Sequence, residues 1–184
     1  MSIEPDDKDW TWVLGRRCPE CGFDASAFPA ESVGAELRAN ATAWVQLLRA
    51  PVAELRRRPR HDRWSPLEYA CHVRDVCTLY ETRLALMLSE DDPLYPNWGQ
   101  DATAVERDYL GQEPRAVAAA LLAAADSLAT AFDGVQPGQW ERRGRRGDGA
   151  SFTVASFSRY LIHDPVHHLW DVMGPVGPAS PGAP

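Results

Sequence analysis

The sequence predicts an all-α protein, a four-helix bundle preceded by an irregular N-terminal arm. Three observations carry this. A chain of 184 residues, 45% of them hydrophobic, is the size of one domain that can bury its own core. Apolar residues recur at helical spacing, as in Val33, Leu37, Trp44, Leu47, Leu48 and Leu55. Helix-start signals stand at Ser65-Pro66-Leu67-Glu68, at Glu113-Pro114 and at Ser151 or Thr153.

The arm, residues 1–29, holds Trp10, Trp12 and the turn Cys18-Pro19-Glu20-Cys21-Gly22 without a helical period, and is expected to pack on the bundle. The bundle follows over 30–174. Helix one spans about Glu31 to Arg57, with Pro51 as a kink or break. Helix two starts at the Ser65 cap and runs to about Ser89. Asp91 to Gly111, with Pro93, Pro96, Asn97, Trp98 and Gly99, reads as a long ordered loop with room for a short helix, a kind of loop often functional in a small domain. An alanine-rich third helix runs from Glu113-Pro114 to about Phe132. Val135 to Ala150 is a polar loop, and its run Arg142-Arg143-Gly144-Arg145-Arg146-Gly147 reads as solvated surface. Helix four carries Phe157, Tyr160, Leu161, Leu169 and Trp170 to about Met173. The Pro, Gly, Ala and Ser tail, 175–184, is expected to be disordered.

A net charge of −7 offers no basic field to a phosphate backbone, so nucleic acid is not an expected partner. No uninterrupted apolar stretch reaches the roughly 18 to 20 residues of a membrane span, and the acidic opening Met1 to Asp9 lacks the cationic start of a signal peptide. A cytoplasmic protein with no membrane partner is expected. Cys18, Cys21, Cys71 and Cys77 are too few for a disulfide scaffold at this length.

Helix four contains His163-Asp164-Pro165-Val166-His167. Histidines four apart lie one turn apart on one face and can chelate one metal, although His-x-x-x-His also arises from unrelated core or surface histidines. A third ligand fits at His72 in helix two. Three neutral imidazoles suit zinc or nickel and leave a coordination position open. His168 points about 100° around the helix from His167 and reads as a supporting or surface residue; His61 reads as exposed. Pro165 is awkward inside a helix and is expected to bend it.

Trp64-Ser65-Pro66-Leu67-Glu68 leading to His72, then Arg83, then Pro96-Asn97-Trp98-Gly99-Gln100-Asp101, then His163-Asp164-Pro165-Val166-His167, resembles the DinB-like superfamily over about Glu31 to Met173. The resemblance implies an up-down-down-up bundle, frequent dimers, and His72, His163 and His167 as metal ligands. It also implies metal-dependent transfer or isomerisation of a small electrophile with a low-molecular-weight thiol. Mycothiol is the actinobacterial version, and an alanine-rich chain with Lys8 as its only lysine among 19 basic residues has the bias of a GC-rich genome.

The chemistry implied is that a metal binds a thiol, lowers its pKa and presents a thiolate to an electrophilic carbon. Tyr80, Arg83, Tyr160 and Asp164 fall within reach by helical spacing; Arg83 can grip an anionic group of cofactor or substrate, and Trp98 can wall the pocket. The alternatives are a non-catalytic metal or small-ligand binding stress protein, or hydrolysis through bound water. The expected partners are a small-molecule substrate or thiol and a second copy of the chain. Cys18 and Cys21 have the form of half a zinc site and need further ligands, from His61, a carboxylate or the same turn of another subunit. A redox dithiol or disulfide and a plain turn with buried thiols are the other readings. Cys71 reads as core.

Overall fold

The computed structural model describes residues 9–174. The first eight residues of the arm and the tail predicted to be disordered, 175–184, lie outside the described residues. Four long helices form the bundle: α1 (Val33–Leu47), α3 (Pro66–Ser89), α5 (Pro114–Asp133) and α6 (Val154–Met173). The one-turn α2 (Val52–Leu55) follows α1, and α4 (Gln100–Glu106) lies in the long loop after α3. α1 and α3 each pack against both α5 and α6, so α1 lies diagonal to α3 and α5 diagonal to α6.

Local chemistry sets the boundaries. Pro51 ends the first helix, splitting the predicted Glu31 to Arg57 span into α1 and α2. Ser65 and Glu68 close a capping box on α3. Arg58 and the Ser65 amide both hold the buried Glu68 carboxylate, binding the incoming loop to the helix start. Thr153 and Ser156 form the equivalent box on α6, and Pro114 opens α5. α6 stays helical through Pro165, where the buried Asn40 of α1 donates to the Pro165 carbonyl at 3.0 Å. Gly34 lets α1 approach α5: a Cβ there would lie 2.3 Å from Asp133 Oδ1 and 3.1 Å from the Ala129 carbonyl.

α5 is long and apolar enough to cross a membrane, with a mean hydropathy of 1.5, because alanine dominates it. Arg115, Asp126, Ser127 and Thr130 interrupt its apolar run, so the expectation that no uninterrupted stretch of that length exists stands. Its Val117, Leu121, Ala125, Leu128, Ala129 and Phe132 are nonetheless buried in the bundle core between α1 and α3.

Two predicted loops pair with each other. β1 (Leu94–Tyr95) runs parallel to β2 (Arg143–Arg146), which runs antiparallel to β3 (Ser151–Thr153). The arginine run read as solvated surface is thus partly strand. Arg142 donates to the carbonyls of Met87 and Glu90 at the end of α3, and Gly144 packs so closely that a Cβ would meet Met87 Cγ at 2.7 Å. The arm forms a 3-10 helix over Trp10–Leu14, capped by Asp9, that packs on α6.

Candidate metal centres

α6 presents its donors in two adjacent stripes. His163 and His167 lie on one, Asp164 and His168 on the next, about 100° around the helix. α3 meets the second stripe. His72 Nε2 lies 3.4 Å and His168 Nε2 3.7 Å from Asp164 Oδ2. A tetrahedral metal with oxygen and nitrogen each at about 2.0 to 2.2 Å spaces its ligand atoms about 3.3 to 3.6 Å apart; the two separations are close to that spacing, and all three atoms lie within 4.8 Å of one another.

Neighbours hold each ligand. The His72 ring lies between Trp98, stacked at 5.2 Å with 10° between planes, and Trp64 at 5.1 Å. His168 Nδ1 is 3.1 Å from Asp171 Oδ2; a proton on Nδ1 there leaves Nε2 as the lone-pair donor toward the cavity. Asp171 in turn accepts from Arg63 at 3.1 Å. Asp164 Oδ1 is buried without a hydrogen-bond partner among the described residues. Burial works to raise the Asp164 carboxyl, but His72 and His168 outweigh it and hold it well below the usual carboxylate range, as an anion.

This cluster opens on a cavity of about 690 Å³, a size that suits a small-molecule ligand. Tyr80, Arg83, Asn97, Trp98, Arg146 and Tyr160 line it further along. Arg83 donates to the Pro96 carbonyl at 2.7 Å and lies 4.8 Å from the Tyr95 ring centroid, and its buried Nε has no partner among the described residues. Arg146 is anchored by Asp148 at 2.8 Å and donates to Tyr160 Oη at 3.0 Å. Burial raises the hydroxyls of Tyr80 and Tyr160, so both stay protonated at neutral pH and can donate.

The first stripe faces the arm. Cys18, Cys21, His163 and His167 each offer a donor, and all four donors lie within 4.8 Å of one another. Burial brings His163 down to about 4 and pushes the Cys21 thiol up to about 11.

His72, His163 and His167, the expected ligand set, all line the cavity, but the donors that lie closest together group otherwise. The structure places His163 and His167 with the arm cysteines and His72 with Asp164 and His168. The physical reason is that both stripes satisfy four-residue spacing, and helix two reaches only the one a residue further on. Asp164, expected beside the chemistry, sits among the ligand donors, and His168, expected as supporting or surface, is one of them. Tyr80, Arg83, Trp98 and Tyr160 all border the cavity. Arg146 was missed, since a charge run carries no sign of which member turns inward. His61 joins neither cluster.

Residues 35–172 match the DinB superfamily. Among solved structures the chain is similar to YfiT from Bacillus subtilis, described as a probable metal-dependent hydrolase with an unusual four-helix bundle topology. The likeness has a TM-score of 0.62 at 17% identity over 93% of this chain and 90% of that one. No curated protein matches the sequence.

Proposed function

The chain belongs to the DinB superfamily, and on that footing we propose that it is a metal-dependent enzyme whose open centre is built from His72, Asp164 and His168. The observation that carries this reading is the convergence of two Nε2 atoms and one carboxylate oxygen at the edge of a cavity that also holds two arginines. Two imidazoles and a carboxylate suit zinc or nickel and fill three coordination positions. A divalent ion bound there would supply Lewis acidity at the remaining position and lower the pKa of the nucleophile that enters it.

The chain's own residues do the rest. Arg83 and Arg146 offer guanidinium groups to an anionic portion of substrate or cofactor. Arg146 is held in place by Asp148, so little ordering is needed when the ligand arrives. Tyr160, which accepts from Arg146, keeps its own proton to donate into the cavity. Trp98, stacked on His72, walls the cavity and fixes the plane of that ring.

The nucleophile we assign is a low-molecular-weight thiol such as mycothiol, attacking a small electrophile. A cavity of about 690 Å³ with two cationic side chains is large enough for a polar anionic cofactor beside a small substrate. The second reading is hydrolysis, with water as nucleophile, and it draws on the description of the similar Bacillus subtilis structure. Calorimetric titration of thiols into metal-loaded protein separates the two. Binding of one thiol per chain with proton release, lost in His72→Ala, supports the thiol reading. Hydrolysis of an ester and amide panel without any thiol binding supports the second. A protein that retains all its metal in His72→Ala and His168→Ala would overturn the centre itself.

A further inference from the structure

We infer that Cys18, Cys21, His163 and His167 form a second, closed metal site, a structural staple that fastens the N-terminal arm to α6. The donor set is complete for a tetrahedral ion: two sulfurs from one turn, two imidazoles from one helix face, and no position left for substrate.

The geometry fits. A tetrahedral ion with sulfur at about 2.3 Å and nitrogen at about 2.0 to 2.1 Å sets those donors about 3.5 to 3.6 Å apart. Cys18 Sγ lies 3.6 Å from His167 Nδ1. The turn is shaped to aim both sulfurs one way. Gly22 adopts a φ of +77°, its amide donates to the Cys18 carbonyl at 3.0 Å, and the Cys18 amide donates to the Phe23 carbonyl at 2.8 Å. Cys18, His163 and His167 are at most 5% exposed, and His163 Nε2 is buried with no hydrogen-bond partner among the described residues. A polar atom so placed costs stability unless something binds it.

The surroundings suit a neutral, enclosed ion. Two thiolates cancel a divalent charge, and the rings of Trp10 and Phe23 lie 5.7 Å and 5.9 Å from His163. On the far side of His167, Nε2 faces carboxylates of Glu20 at 3.7 Å and Asp171 at 3.8 Å, an arrangement that orients a ligating imidazole. Loading releases the two thiol protons to solvent, with no change of oxidation state. The staple joins positions 145 residues apart (Cys18 to His163) and holds Trp10, a wall of the cavity, against α6.

Elemental analysis of the full-length protein tests this. Cys18→Ser with Cys21→Ser should lower the metal content by about one ion per chain. In the cobalt-loaded His72→Ala, His168→Ala variant, which lacks the open centre's ligands, a thiolate-to-cobalt charge-transfer band should persist. Wild-type protein supplies a measurement that needs no variant to fold: an aromatic disulfide reagent, with mass mapping, should find Cys18 and Cys21 protected until a chelator removes metal and both modified afterwards. An unchanged metal content in the double cysteine variant, absence of the band, or equal modification before and after chelation would each overturn the staple.

Discussion

Asp171 is the residue whose replacement tests the arrangement most sharply, because it touches donors of both clusters and belongs to neither ligand set. Its Oδ2 is 3.1 Å from His168 Nδ1 and 3.8 Å from His167 Nε2, and its Oδ1 accepts from Arg63 at 3.1 Å. A carboxylate behind a ligating imidazole fixes the ring and its tautomer and makes it a better donor, and its loss typically lowers metal affinity about 10- to 100-fold. Asp171→Asn keeps the shape and removes the charge, so the open centre should lose about 1.4 to 2.7 kcal/mol of metal binding. His168 should bear most of this, as its contact is a true hydrogen bond while that to His167 is long. Arg63→Ala serves as the comparison: Arg63 is 49% exposed, and such a pair is worth about 0 to 1 kcal/mol. The assay is competition with a chelator of known affinity, with helical content followed by circular dichroism. An Asp171→Asn protein that binds metal within about threefold of wild type would refute the role given to this carboxylate and weaken the assignment of His168 Nε2 as a ligand.

His72→Ala should remove the ion of the open centre while leaving the helical signal intact, since the core of α1, α3, α5 and α6 does not depend on that ring; elemental analysis beside circular dichroism reads both. Arg146→Ala should weaken binding of an anionic ligand by about 1.5 to 3 kcal/mol, roughly 10- to 150-fold in Kd, with metal content unchanged. Stability should fall in acid. Burial works to raise the Asp75 carboxyl, but hydrogen bonds from Arg74 and Tyr109 outweigh it and hold it below its ordinary value, so the unfolded chain takes up the proton first. That contribution is present above about pH 3.9 and is lost as pH falls through the lower folded-state value; urea melts from pH 6 down to pH 3 should show a shallower loss in Asp75→Asn, and an identical slope would count against it.

What the sequence made legible was local. The Ser65 box, Pro114 and the Thr153 cap mark starts of α3, α5 and α6 because capping is settled within four residues. Tyr80, Arg83 and Tyr160 could be placed beside one cavity because helical spacing puts them in line with His72 and Asp164. The three strands were hidden because they are two to four residues long and exist only through pairing: Leu94 meets Arg145 across a stretch that includes the whole of α5. The proximity of donors across two stripes of α6 was hidden for a related reason. A single-faced reading of α6 makes His168 a bystander, whereas α6 packs against α3 and against the arm at once, so two neighbouring stripes both face partners. Nothing within the Cys18 turn reveals that its partner is a helix near the other end of the chain.

The one-residue offset between the stripes also explains why the two proposed centres would differ in chemistry. Rotating α6 by one residue to bring His163 and His167 toward His72 would turn Asp164 and His168 about 100° further, past α3, and would present Ile162 and Val166, which offer no donor atom, to Cys18 and Cys21 of the arm. The rotation is thus fixed from both sides. With a divalent ion, two thiolates and two imidazoles form a neutral, coordinatively filled set suited to an apolar box. Two imidazoles and one carboxylate leave a net charge of about +1 and a free position, beside Arg83 and Arg146. The cationic side of the cavity therefore lies where an anionic substrate would meet the open position, and the second proposed site lies on the adjacent stripe of the same helix, its two imidazoles bordering the cavity but with every coordination position filled.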